Sequence, residues 1–196
     1  GRRTQLLVRS LDTLAVRDLP GTAVARQPFF SPDGQWVGFF TQTGELRKIA
    51  LAGGNPVTLV EQIDGSGFAF GVWTAEGTIV FGTTSSGLRR VSAEGGAVTD
   101  LTTLDVANRE VNHSNPVLMP SGRAVLFSVR SVGVGFRTEA VMLDTGARRV
   151  VVENARPLLV LSSGHLAFER DDAVLVAPFD LDGLVVTGPV VPLVDA

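Results

Sequence analysis

The 196-residue sequence has no cysteine and no tyrosine, two histidines, two tryptophans and one lysine, Lys48. Without cysteine there is no disulfide, no zinc–thiolate site and no thiol nucleophile, and the redox compartment is left open. With only His113 and His165, a histidine-based triad or metal cluster has very little to draw on. A net charge of −3 lacks the basic excess of a nucleic-acid surface, so no nucleic-acid partner is expected. The remaining basic residues are all arginine, which reads as coding-DNA composition and not as selection for phosphate binding. No apolar run approaches the ~20 residues of a membrane span, so no direct membrane insertion of this segment is expected. No signal peptide opens the chain. It begins Gly1-Arg2-Arg3 without an initiator methionine, the start expected of a piece of something longer, with any targeting segment outside it. A helical period is sustained nowhere; even 101–109, the best stretch, lacks one.

What is abundant is punctuation: 22 glycines and 10 prolines divide a chain that is 44% hydrophobic. A tight-turn signal recurs at Ser31-Pro32-Asp33-Gly34, Thr74-Ala75-Glu76-Gly77, Met119-Pro120-Ser121-Gly122 and Leu161-Ser162-Ser163-Gly164. The turn glycines fall at 34, 77, 122 and 164, a period of forty-odd residues. Each turn is followed by a short apolar run that carries a phenylalanine: Phe39, Phe81, Phe127 and Phe168. Between these turns lie a second set, at Gly53-Gly54-Asn55, Glu94-Gly95-Gly96, Asp144-Thr145-Gly146 and Asp182-Gly183. Such pairs supply the positive φ of hairpin turns. Short strands and turns at this period predict an all-β fold of four-stranded propeller blades. The blades are predicted at 25–61, 67–103, 112–153 and 157–194, with inner strands at 27–30, 68–72, 115–119 and 158–161. Residues 5–22 match only the outer hairpin of a preceding blade, so 1–196 is read as a single partial β-propeller domain. The four phenylalanines are expected to be equivalent and to fill the gaps between blades. Trp36 and Trp73 are expected in the core.

Phe30-Ser31-Pro32-Asp33-Gly34 with its flanks resembles the WD40-like (PD40-type) repeat of TolB-like propellers. The likeness is greatest to the propeller attached to bacterial membrane serine/threonine kinases, and it runs along almost the whole chain. It includes Leu7-Val8-Arg9-Ser10-Leu11-Asp12, Val91-Ser92-Ala93-Glu94-Gly95-Gly96 and Val176-Ala177-Pro178-Phe179-Asp180-Leu181. The resemblance implies a six-bladed parent ring, whose missing blades come from the rest of the parent chain. It also implies a periplasmic or other extracytoplasmic sensing or protein-interaction module, with the kinase chemistry upstream. The chain departs where Ser-Pro-Asp-Gly decays in the later turns. It also carries Asn112-His113-Ser114-Asn115-Pro116 where the family has a tryptophan before the proline. No kinase phosphate loop, His-Arg-Asp or Asp-Phe-Gly is present, and no Gly-x-Ser-x-Gly elbow.

Strand parity puts the blade-to-blade connections and the second-to-third strand loops on one face. His113, at the entry of an inner strand, is expected there near the central channel. Arg109, Glu110, Asn112 and Asn115 surround it in sequence, and could either converge with it on a polar ligand or simply bond the loop backbone and water. The stretch 130–137 makes the longest hairpin connection on that face. It is read either as a mobile loop or as a partner contact in which Phe136, flanked by Arg130 and Arg137, is the anchor. His165, after a turn glycine, is expected to be an exposed polar residue. Asp180-Leu181-Asp182-Gly183 begins like a calcium loop but lacks its later ligands, and hairpin chemistry accounts for it. No cofactor and no metal are therefore expected.

Two function classes follow. In the first, the chain is a non-catalytic binding or sensory module whose loop face takes a protein, a peptide or a small ligand. In the second, it is the substrate-gating propeller of a prolyl-oligopeptidase-like or other hydrolase. Fold alone does not choose between them.

Overall fold

The computed structural model describes residues 4–63 and 68–193. The opening Gly1-Arg2-Arg3 and the blade bounds expected at 67 and 194 lie outside the described residues. Every regular element is a strand, so no helix among the described residues is long and apolar enough to cross a membrane. A two-stranded hairpin, β1 (Leu7–Arg9) and β2 (Val16–Asp18), comes first. Three four-stranded antiparallel sheets follow in simple up-and-down order. They are β3–β6 (Ala25–Phe30, Trp36–Thr41, Leu46–Ala50, Val57–Val60), β7–β10 (Phe70–Trp73, Thr78–Gly82, Arg89–Ser92, Thr99–Asp100) and β11–β14 (Glu110–Leu118, Ala124–Ser131, Gly135–Met142, Arg148–Glu153). The last sheet has β15 (Arg156–Leu161), β16 (His165–Arg170) and β17 (Ala173–Asp180), and its outer strand is split into β18 (Val185–Val186) and β19 (Val191–Pro192), both paired to β17.

The repeat is thus a partial propeller of four blades led by an outer half-blade, as the turn spacing predicts. The turn glycines Gly34, Gly77, Gly122 and Gly164 all have φ between +66° and +77°, which a side chain would oppose. The phenylalanines do not sit at one offset from these glycines, since Phe39 and Phe127 follow by five residues and Phe81 and Phe168 by four. Hydrogen bonding removes the discrepancy. The ladder closes between Ser31 and Trp36, Thr74 and Thr78, Met119 and Ala124, and Leu161 and His165. The first and third turns are therefore one residue longer, and all four rings fall at the same ladder position.

Each ring is fully buried, and each faces the preceding blade. Phe39 packs with Leu19 and Val8 of the hairpin segment, and Phe81 with Phe40 and Leu46 of the first blade. Phe127 packs with Val80 and Leu88 of the second, and Phe168 with Leu126 and Ala140 of the third. Alternate residues on one strand thus fill two different interfaces, which is why β4, β8 and β12 are buried on both sides. Trp73 is in this core, but Trp36 is only half-buried at its edge, a correction to the expectation: as the first residue of β4 it lies beside the turn, where no strand covers it. The ends of the stack are uncovered. Leu7 is 62% and Leu11 87% exposed, although Val8 has found the Phe39 cluster, and at the other end Leu159, Leu161, Val174 and Val191 are exposed.

Two expected outcomes follow from this packing. Phe127→Ala removes a ring from the second interface and should cost about 3–5 kcal/mol in denaturant unfolding; an unchanged midpoint would take it out of the core. Amide exchange should be much faster in 5–22 than in 117–127, because the hairpin has one covered face and two three-residue strands.

Candidate functional site

β11 enters the third blade at Glu110, before the expected bound of 112, so Glu110, Asn112 and His113 lie in a strand. The inner strand expected at 115–119 thus starts five residues earlier: it is nine residues long, and its first half is covered by the segment 102–109. The ladder skips a residue between Glu110 and Asn112. Without this bulge, residues three apart would point to opposite faces. With it, Glu110 pairs with Ser131 and His113 with Val129, and both side chains turn toward the second blade.

There they meet Arg137 and Glu139 of β13 and Arg148 of β14. His113 is 0% exposed and its ring stands 5.1 Å from that of Phe127. Thr102 Oγ1 accepts Leu88 N–H (2.8 Å) and stands 2.7 Å from His113 Nδ1. His113 Nε2–H donates to Glu110 Oε2 at 2.9 Å. In the neutral ring, which burial favours, Nε2 carries this proton and Nδ1 accepts from the Thr102 hydroxyl. Glu110 also accepts the Asp105 amide (2.7 Å), Arg137 Nη2, and Arg148 Nη2 (3.1 Å). Glu139 takes Arg137 Nε at 2.7 Å and Arg148 Nε at 2.9 Å. Two carboxylates and two guanidiniums balance around a neutral imidazole, as a buried ion cluster must. Burial alone would raise the Glu110 carboxyl, but the Asp105 amide, His113 and the Arg148 charge outweigh it and hold it down at about 2. Burial pushes the His113 imidazole below 6.5, Arg148 adds to the push, and the Glu110 hydrogen bond only partly offsets it.

Of the eight candidates, the structure brings together Glu110, His113 and Arg137. Arg109 is an exposed turn residue with φ +56°, whose carbonyl accepts Val132 N–H, which sets it beside the 131–135 hairpin. Asn112 donates to Thr84 O. The long mobile connection expected at 130–137 is not there. β12 and β13 pair as far as Ser131 and Gly135, so Arg130, Phe136 and Arg137 are strand residues and only 132–134 form the loop. Arg130 and Phe136 pair with each other and occupy the face opposite Arg137. Asn115 sits at a second bulge of β11 with φ +50°. It lines an axial cavity of about 300 Å³ with Gln27 (φ +47°), Phe70 and Pro157, one residue from each inner strand or its edge. His165, expected to be exposed, is half-buried.

The sequence reading missed Thr102, Glu139 and Arg148. Arg137 and Glu139 do show strand alternation, but nothing in order of residues links them to Glu110 across the bulge. It also missed the cleft beside Phe136. There, between the third and fourth blades, an opening of about 400 Å³ is walled by Phe136, Asn154, Arg156, Glu169, Arg170 and Asp172. The Arg156 guanidinium lies 4.3 Å from the Phe136 ring centroid and 3.5 Å from Glu169. The Asp180 carboxylate accepts the amides of Asp182 and Gly183 (both 3.0 Å), so it serves its own turn.

No protein-family model matches the chain, and no curated protein sequence matches it. Solved structures do share its fold. It superposes on TolB from Acinetobacter baumannii with a TM-score of 0.69 at 17% identity, over 93% of this chain and 47% of that one. An inferred TolB from Agrobacterium tumefaciens gives 0.70 at 16% identity, over 92% and 70%. The extracellular domain of an inferred one-component system of B. thetaiotaomicron gives 0.66 at 14% identity, over 98% and 25%. The chain therefore has the TolB-like propeller fold, and spans about half the length of the first of these structures.

The buried cluster makes stability depend on pH with a definite sign. Unfolded, His113 takes up its proton near 6.5 and Glu110 near 4.5; folded, both do so at lower pH. The unfolded state therefore gains protons first, and stability falls below pH 6.5 and again below pH 4.5. His113→Gln should be less stable at about pH 8 but lose the slope between about pH 7 and 5.5. Parallel melting-temperature profiles for variant and wild type would assign that slope elsewhere.

Proposed function

We propose that the chain is a non-catalytic binding propeller that takes a peptide or protein segment in the cleft between its third and fourth blades. We place it as the extracytoplasmic sensory part of a larger signalling protein, such as a membrane-anchored bacterial serine/threonine kinase. The observation that carries the binding reading is the cleft at Phe136: an aromatic ring held under a guanidinium, with carboxylates of Glu169 and Asp172 around it. Such a pairing of a fixed aromatic anchor with a charged rim suits peptide recognition. The absence of catalysis is supported by the state of His113. It is the side chain best suited to acid–base work, yet both ring nitrogens are bonded to the protein and it has no solvent access. The sensory and kinase-linked part rests on the sequence resemblance. The shared fold with an extracellular domain is compatible with the compartment.

A phage-displayed peptide library selected on the immobilised chain tests this. Enriched peptides should lose about tenfold or more in affinity for Phe136→Ala with Arg156→Ala, the loss of an anchor residue. Arg123→Ala, at the opposite end of the strands, should leave them unaffected. Failure to enrich peptides, or peptides indifferent to the cleft substitutions, would overturn the reading.

A further inference from the structure

At the opposite end of the strands from the Phe136 cleft, a second opening of about 470 Å³ lies between the first and second blades. It collects both tryptophans of the chain, Trp36 and Trp73, and its single lysine, Lys48, with Asp33 and Glu94 at the rim. Trp73 forms part of the floor, edge-on to Phe29 (6.4 Å between ring centroids). Lys48 is 6% exposed, its Nζ 4.8 Å from the centroid of the Trp36 ring. That ammonium donates to Glu94 Oε1 at 2.9 Å, the one hydrogen bond it makes among the described residues. An ammonium has three donors, so two are left without a hydrogen-bond partner among the described residues.

The fold does not require these residues. At the ladder position of Trp36, the later blades carry Thr78, Ala124 and His165. At that of Lys48, across from Gly38, they carry Arg90, Ala140 and Val176, across from Val80, Leu126 and Ala167. In the third blade two alanines, Ala124 and Ala140, satisfy the same contact and are buried against the fourth. The indole and the ammonium are therefore a departure of the first blade from the repeat, and together with Trp73 they line an open groove where the third interface is filled.

The partner of Lys48 also suggests what the groove accepts. Glu94 stands on the Glu94-Gly95-Gly96 turn with its side chain 86% exposed, so it loses little by swinging into water. Its carboxylate marks where an external carboxylate would bind. We infer that this groove is a binding site for a small carboxylic acid with a flat apolar body. The ligand carboxylate replaces that of Glu94 on Lys48 Nζ, and its ring lies against the two indoles. This site is separate from the peptide cleft, and either can fail without the other.

Because both tryptophans line the groove and tyrosine is absent, intrinsic fluorescence reports on this site. Titration with phenylacetate should give a saturable change in tryptophan emission. Phenylacetamide, which has the same shape without the charge, should bind about tenfold more weakly, the loss of a charge-assisted bond. Glu94→Gln removes the competing carboxylate and should tighten phenylacetate several-fold. Lys48→Met, which keeps the apolar stem, should bring acid and amide to the same weak affinity. Equal affinity for acid and amide in the wild type, preference for benzylammonium, or no saturable change in either wild type or Glu94→Gln would overturn the inference. Those three results need no Lys48 variant, so they decide the matter even if Lys48→Met does not fold.

Discussion

Each sheet of this protein is apolar on both faces, and no single sheet can bury both. β4, β8 and β12 send Phe39, Phe81 and Phe127 back toward the preceding blade and Phe40, Val80 and Leu126 forward to the next. Burying a large side chain contributes roughly 1.5–3 kcal/mol, so the two rows tie each blade to both neighbours. The up-and-down order of the strands, the inward position of β3, β7, β11 and β15 around the axial cavity, and the exposure at both ends of the stack all follow from this demand.

One interface departs from the apolar rule. Between the second and third blades, Phe127 shares the space with His113, and beyond it Glu110, Glu139, Arg137 and Arg148 form a closed set of ion pairs. Such a cluster contributes less net stability than an apolar filling, and its members are costly to remove singly. What it does supply is position. It fixes the 102–109 connection through Thr102, the Asp105 amide and the Thr103 carbonyl, and it holds the entry of β11 against β13 and β14. Its charges balance among themselves, and His113 and Glu110 at its centre are buried. Open clefts lie instead where one blade meets the next at their edges, beside Phe136 and beside Trp36.

The fold was legible because turns and strands leave local marks. A glycine that must take positive φ cannot be disguised, and a phenylalanine that must reach a neighbouring sheet recurs with the sheet. Candidate sites were less legible. Residue order puts His113 at the entry of an inner strand with Glu110 beside it, near a channel mouth where a ligand could meet both. A bulge at Val111, which no residue type announces, put them on one face of a buried strand beside two arginines from other strands. The stretch 130–137 looked like a loop because of Gly133 and Gly135, yet strand pairing continues to within a three-residue turn.

The sequence by itself determined the all-β class, the four-blade period, the half-blade at the start and the placement of the four phenylalanines between blades, since each rests on spacing along the chain. Tertiary structure alone decided which charged groups neutralise one another, that Trp36 stands half-open over the only lysine, and that Phe136 faces one blade while Arg137 faces the other. Those outcomes depend on bulges and on contacts between strands far apart in the chain, such as Lys48 with Glu94 and Arg148 with Glu110. Their free energy comes from closing distant segments on one another, and residue order carries no record of it.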